Sequence, residues 1–189
     1  MIALVVKWIS RKSTELLFQV RVLTRAPMFE TRTATHDDVP TIMAIFDKAR
    51  GLMKKHGNPE QWEDWPRLDF VRGWIDAGTM YVVVKGGEIA GTFTVGEHYA
   101  EYDNPGLKWL NDAPYIFVGC FALATADMKI IKHVVDWCVA RCKNVRVDTG
   151  AKNYSTQHLL KRHGFVPVGS FMPTTYDGVE MIAFHLATK

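Results

Sequence analysis

Cys138 and Cys142 stand four residues apart on a stretch of helical periodicity, a spacing that puts two thiols on one face and so raises a reactive pair. Cys120 makes the number odd, and no spacing among the three matches a disulfide framework or a zinc site. They read instead as small buried hydrophobes, and a reducing, cytoplasmic compartment is expected. His158 and His163 are five apart on a second helical stretch, which sends them to different faces. No set of His, Cys and Asp has metal-ligand spacing, so no metal is implied. Gly-x-Ser-x-Gly, P-loop and dinucleotide fingerprints are all missing, which leaves hydrolase and nucleotide-enzyme readings without a motif.

The elements that must position any site come from a chain of 189 residues, long enough for one full core and short for two. With 48% apolar and 23% charged residues, its composition is that of a folded globular domain. The net charge of +3 is uneven: Lys7, Arg11, Lys12, Arg21 and Arg25 against Glu15 alone give the first 27 residues +4, leaving the body near −1. A nearly neutral body lacks the basic face that nucleic acid requires, so that partner class is set aside. The segment 1–28 has no apolar block of 18 residues and no membrane span is expected. Its basic, acid-poor makeup fits a transit peptide, an over-long start ahead of Met28, or an extra amphipathic element packed on the body. The domain proper is expected over 29–189.

From Phe29 the chain alternates elements. A short strand, Phe29 to Ala34, ends at Thr35-His36-Asp37-Asp38, a helix start with a capping hydroxyl, two acids and Pro40 in the first turn. Val39, Ile42, Ile45, Phe46, Ala49, Leu52 and Met53 give helix one a buried stripe to about Lys55. A second helix runs from about Arg67 to Ala77. Met80 to Val84 and Ile89 to Val95 form a hairpin across Lys85-Gly86-Gly87-Glu88. A central strand over Ala113 to Ala124 and a helix over Asp127 to Cys142 follow, the latter with Met128, Ile131, Val135, Cys138 and Cys142 on one face. Then come a strand at Asn144 to Thr149, a helix at Asn153 to Arg162, and strands at Phe165 to Ser170 and Val179 to Leu186.

Within that order, Val145-Arg146-Val147-Asp148-Thr149, then Asn153, then Gly164-Phe165-Val166-Pro167-Val168-Gly169 resemble the fifth strand and fourth helix of the GNAT N-acetyltransferase superfamily. The helix-one exit Gly57 to Trp62, Gly91-Thr92-Phe93, Trp109 to Asp112 with Pro114-Tyr115, and Asp136-Trp137-Cys138 are similar to a bacterial branch of it. The resemblance covers nearly everything after Phe29. It implies an α/β (α+β) fold: a mixed, mostly antiparallel twisted sheet of six to seven strands, helices on both faces, and a splay between strands four and five. In that family the splayed backbone pairs with the pantetheine amides of acetyl-CoA, so the resemblance assigns Phe121, Ala122, Leu123 and Ala124 to the cofactor. Asn153 is assigned with them, although capping its own helix is an equally good use of its side chain.

Three departures accompany the resemblance. The family's Gly-rich pyrophosphate loop is replaced by Thr125 to Lys132, which has no glycine, so Lys129, Ile130 and Lys132 are left to meet the phosphates. Leu160 stands seven residues after Asn153, where many members have a Tyr that protonates the leaving thiolate, and Phe121-Ala122 replaces a polar pair on strand four. By the resemblance, Glu97 is the candidate base for the attacking amine, with Glu101 and His98 behind it, and Trp62 and Tyr115 wall the acceptor pocket. The expected activity is transfer of acetyl from acetyl-CoA to a small primary amine. The alternative is a catalytically degenerate GNAT-like binding or regulatory module. A homodimer is an expectation carried by the family alone.

Overall fold

The computed structural model describes residues 28–174 and 178–189, together with the backbone of Leu4–Val5 and Arg21–Val22, which pair antiparallel. The readings made for the rest of segment 1–27 lie outside the described residues. Seven strands form one sheet: β1 (Glu30–Thr33), β2 (Met80–Lys85), β3 (Glu88–Gly96), β4 (Ile116–Leu123), β5 (Asn144–Gly150), β6 (Val166–Phe171) and β7 (Met181–Ala187). Their spatial order is β1-β2-β3-β4-β5-β7-β6, and every neighbouring pair is antiparallel except β4 with β5. Four helices cover it: α1 (Val39–Lys55), α2 (Leu68–Asp76), α3 (Lys129–Val139) and α4 (Tyr154–Arg162).

The sheet is buried on both faces because its strands alternate between two apolar layers. Met80, Val82 and Ala122 pack under α1 and α2 with Ile42, Phe46 and Val71. Val83, Phe93, Val145 and Phe184 pack on the other face with Ile130, Val134 and Cys138 of α3. Burying each such large side chain contributes roughly 1.5–3 kcal/mol. The turn into α1 is tied by Asp38, whose carboxylate accepts Thr35 N–H at 2.8 Å and both Arg32 guanidinium nitrogens at 2.6 and 2.9 Å. That pairing pulls the Asp38 pKa down to about 2.

The structure trims two expected elements. β4 begins at Ile116, since Ala113 to Tyr115 belong to the preceding loop, and α3 covers Lys129–Val139 rather than reaching Cys142. The apolar face of α3 is Ile130, Ile131, Val134 and Cys138, while Met128 stays 46% exposed. Cys138 and Cys142 therefore part company. Cys138 lies in the core, where burial pushes its thiol up to about 12, and Cys142 donates to the Pro114 carbonyl at 3.3 Å.

Two local features shape the middle of the sheet. β4 and β5 pair only over Ile116–Val118 and Val145–Val147; beyond Val118 the two strands run on without pairing, so the sheet is split along one seam. On its other side β4 bulges against β3, with Cys120 and Phe121 opposite Phe93. Cys120 takes φ +46°, an uncommon conformation for a side-chain-bearing residue, and the bulge bends β4 away from its parallel neighbour.

Candidate active site

The split opens a cavity of about 680 Å³ whose lips are Phe117–Leu123 of β4 and Val147–Thr149 of β5. It runs through the sheet. On the α1/α2 face it is walled by Trp62, Trp65, Phe70, Trp74 and Tyr99, and on the α3/α4 face by Ile131, Leu160 and His163. The Ala124 N–H bonds to the Ala90 carbonyl on the β3 side at 2.9 Å. Backbone groups of successive strand residues point to opposite neighbours, so the amide and carbonyl of Leu123 face the β5 side, where no strand among the described residues pairs with them. Such an edge takes an extended amide-bearing chain as a strand would.

Asp148 lies within this cavity, on the β5 lip. Its carboxylate accepts the Tyr102 hydroxyl at 2.8 Å. Burial pushes the carboxyl up from 3.8 to about 6, against the opposing pull of the Tyr102 hydrogen bond, while the nearby Glu101 adds to the rise. Burial and the adjacent carboxylate also hold the Tyr102 hydroxyl well above its ordinary value, so it remains a donor. Tyr102 reaches Asp148 from the loop between β3 and β4, where it is buried among Leu107, Val168 and Phe171. Cys120 also lines the cavity; burial pushes its thiol up to about 12, and it stays protonated.

Asn153 caps its helix, the use weighed against cofactor contact, and lines the cavity as well. Its Oδ1 accepts Thr156 N–H at 3.3 Å and caps α4, and its Nδ2 donates to Gln61 Oε1 at 3.3 Å across the cavity's rim. Gln61 is itself buried and accepts Asn58 Nδ2 at 2.8 Å. A Cβ on Gly150 would come within 2.8 Å of that Gln61 oxygen, so the end of β5 is bare where the loop crosses it.

The remaining sequence candidates divide. Phe121, Ala122, Leu123 and Trp62 line the cavity, Trp62 with its ring edge-on to Phe46 at 5.6 Å. Ala124 lies just beyond, its carbonyl accepting Lys48 Nζ at 2.6 Å. Ile130 is fully buried in the core, Lys129 is exposed, and Lys132 pairs with Asp136 at 2.6 Å; none of the three lines the cavity. Met128 and Ile131 of the same segment do. Glu97 is exposed beyond the end of β3 and faces a second cavity of about 800 Å³, which Tyr115 also lines. There Tyr115 and Trp109 clamp the buried Arg146 guanidinium between their rings at 3.7 and 3.9 Å. His98 lines the first cavity; Glu101 is tied to the Thr174 backbone N–H at 2.7 Å. The residue that sequence reading missed is Asp148. Its one signal was an acid alternating with valines on the strand expected at Asn144 to Thr149.

No protein-family model matches the chain, and no curated protein does. Solved structures do. A GNAT-family acetyltransferase from Streptococcus agalactiae is similar at 23% identity and a TM-score of 0.76, over 85% of this chain and 96% of that one. A GNAT-family acetyltransferase from Listeria monocytogenes follows at 15% identity and 0.62, over 85% and 95%. A Salmonella typhimurium protein solved with its cofactor acetyl-CoA is similar at 14% identity and 0.57, over 86% and 95%. On this likeness the chain, with its seven-stranded sheet and one parallel pair, has the fold of the GNAT N-acetyltransferase superfamily.

Proposed function

We propose that the protein transfers an acetyl group from acetyl-CoA to the nitrogen of a small primary amine, by direct attack with both reactants bound. The observation that carries this reading is that Asp148, a carboxyl with a pKa of about 6, shares one cavity with the unpaired backbone of β4. The backbone edge suits a pantetheine arm. A base with this pKa is ionised at neutral pH and takes a proton from an arriving ammonium group, the task an acetyltransferase must perform first.

The chain's residues then divide the work. Leu123 presents its amide and carbonyl to hold the thioester's arm against β4, so that the acyl carbon sits at the level of the bulge. Asp148, oriented by Tyr102, accepts the first nitrogen proton. The freed amine attacks the acyl carbon; a C–N bond forms, the C–S bond breaks, and the second nitrogen proton ends on sulfur. Leu160 donates nothing there, so that proton must come from the nitrogen side, directly or by way of Asp148. Holding both reactants in one cleft supplies much of the rate. Cys120 argues against an acyl-enzyme, because a thiol with a pKa of about 12 carries almost no thiolate at neutral pH. The walls formed by Trp62, Trp65, Phe70 and Trp74 favour an amine with an apolar or aromatic body.

A second reading, a thioester-binding module without turnover, is favoured by Leu160 at the position where many members carry a proton donor. One pair of measurements separates the two. Acetyl-CoA should raise the melting midpoint by mass action in either case. Release of free thiol in the presence of a panel of aryl-alkyl and alkyl primary amines should follow only for the enzyme. A midpoint unmoved at millimolar acetyl-CoA contradicts both.

A further inference from the structure

The start of α3 borders the cavity, since Met128 and Ile131 both line it. An α-helix N-terminus leaves backbone N–H groups free and carries a partial positive charge, which makes it a natural seat for phosphate. Here the seat is taken. The Asp127 carboxylate accepts Lys129 N–H at 3.1 Å, and the Asp127 carbonyl accepts Ile130 N–H at 3.1 Å. Ile131 N–H bonds to the Met128 carbonyl at 3.2 Å. A fixed negative charge thus lies against the first turn, pinned by Lys85 Nζ at 2.7 Å from the far end of β2.

The cations nearby do not reverse this. Lys85 is spent on Asp127, Lys132 pairs with Asp136 at 2.6 Å, and Lys48 donates to the Ala124 carbonyl at 2.6 Å. Lys129 is an exposed side chain off the cavity. A diphosphate leaving the cleft along β4 would meet a carboxylate and amides that are already bonded, whereas the unpaired Leu123 backbone stays available to an amide-bearing arm.

We propose that the donor site recognises the acyl-pantetheine arm alone and draws no affinity from the nucleotide diphosphate, Asp127 being the residue that sets this preference. The donor class is therefore any acyl thioester of pantetheine, with coenzyme A accepted as one carrier of that arm. This rests on the acetyltransferase reading.

The test is calorimetric titration of the full chain with acetyl-CoA and with S-acetylpantetheine at two salt concentrations, repeated with Asp127→Asn and Asp127→Gly. In the native protein the two dissociation constants should agree within about threefold, and acetyl-CoA binding should change little with salt. Removing the carboxylate should tighten acetyl-CoA by roughly tenfold while S-acetylpantetheine is unmoved. Native protein that binds acetyl-CoA tenfold or more tightly than S-acetylpantetheine overturns the inference and leaves the acetyltransferase reading intact. If neither thioester binds, both fall. Because the comparison of ligands is made first on the native chain, it stands even if a variant folds poorly.

Discussion

Replacing Asp148 by Asn should make the protein more stable and far less active, and the stability gain should depend on pH in a defined way. The folded chain holds the Asp148 proton with a pKa near 6 against an ordinary 3.8. Folding is therefore helped by this group below about pH 4, and that help is lost as pH rises through 6. About two units at 1.36 kcal/mol each give roughly 3 kcal/mol of penalty for the ionised carboxylate at pH 8. Asn cannot ionise, so the difference between variant and native stability should grow by about 3 kcal/mol between pH 4 and pH 8, roughly 2–4 °C of melting midpoint per kcal/mol in a chain of this size. Urea melts of both proteins at one-unit pH steps measure that difference, and any constant offset from repacking cancels. Initial rates should show kcat/KM down by about 10²–10⁴ with acetyl-CoA affinity unchanged. Parallel stability profiles, or an Asn variant as active as native, would refute the assignment of Asp148 as a half-buried base.

Other outcomes follow from the same geometry. Cys120→Ala should keep native turnover, and intact-mass measurement of native protein mixed with acetyl-CoA should show no acetylated cysteine. Asn153→Ala should lose about 1 kcal/mol of stability with the α4 cap and raise the KM of the acceptor, because Gln61 loses a partner at the rim. Asp38→Asn should lower the melting midpoint by an amount equivalent to about 1 kcal/mol at neutral pH, a modest figure because Arg32 is 39% exposed. Since the Asp38 pKa is depressed to about 2, that contribution is present above pH 4 and fades as the solution is acidified towards pH 2.

Much of the fold could be read from the chain, because periodicity and turn chemistry are local. The Gly86-Gly87 hairpin, the stripe on α1 and the Asn153 cap needed only neighbours within a few residues. The site was less legible. Val145, Val147 and Val168 fit the expected strands, but nothing in the spacing of Arg146 and Asp148 marks them as part of a site. They are covered by the loop between β3 and β4, which brings Tyr102, Trp109 and Tyr115 over them from some 30 to 45 positions away. No spacing rule encodes that placement. Glu97 drew notice because it ends a strand, yet it looks away from the lips of β4 and β5. The lack of glycine in Thr125 to Lys132 was plain from the sequence; that an aspartate side chain bonds the first-turn amide there needed coordinates.

The three-residue parallel contact between β4 and β5 makes the sheet two leaves on a narrow spine, β1 to β4 on one side and β5 to β7 on the other. Leaves joined so sparingly breathe about the spine, and the amides bordering it should trade their hydrogens for deuterium sooner than those of the β2–β3 hairpin. A donor lying between the lips touches both leaves at once and acts as a clasp. Its arrival should slow exchange not only at Leu123 but along β7 beyond Met181, where the strand lies off the cavity and feels the donor through the leaf it shares with β5.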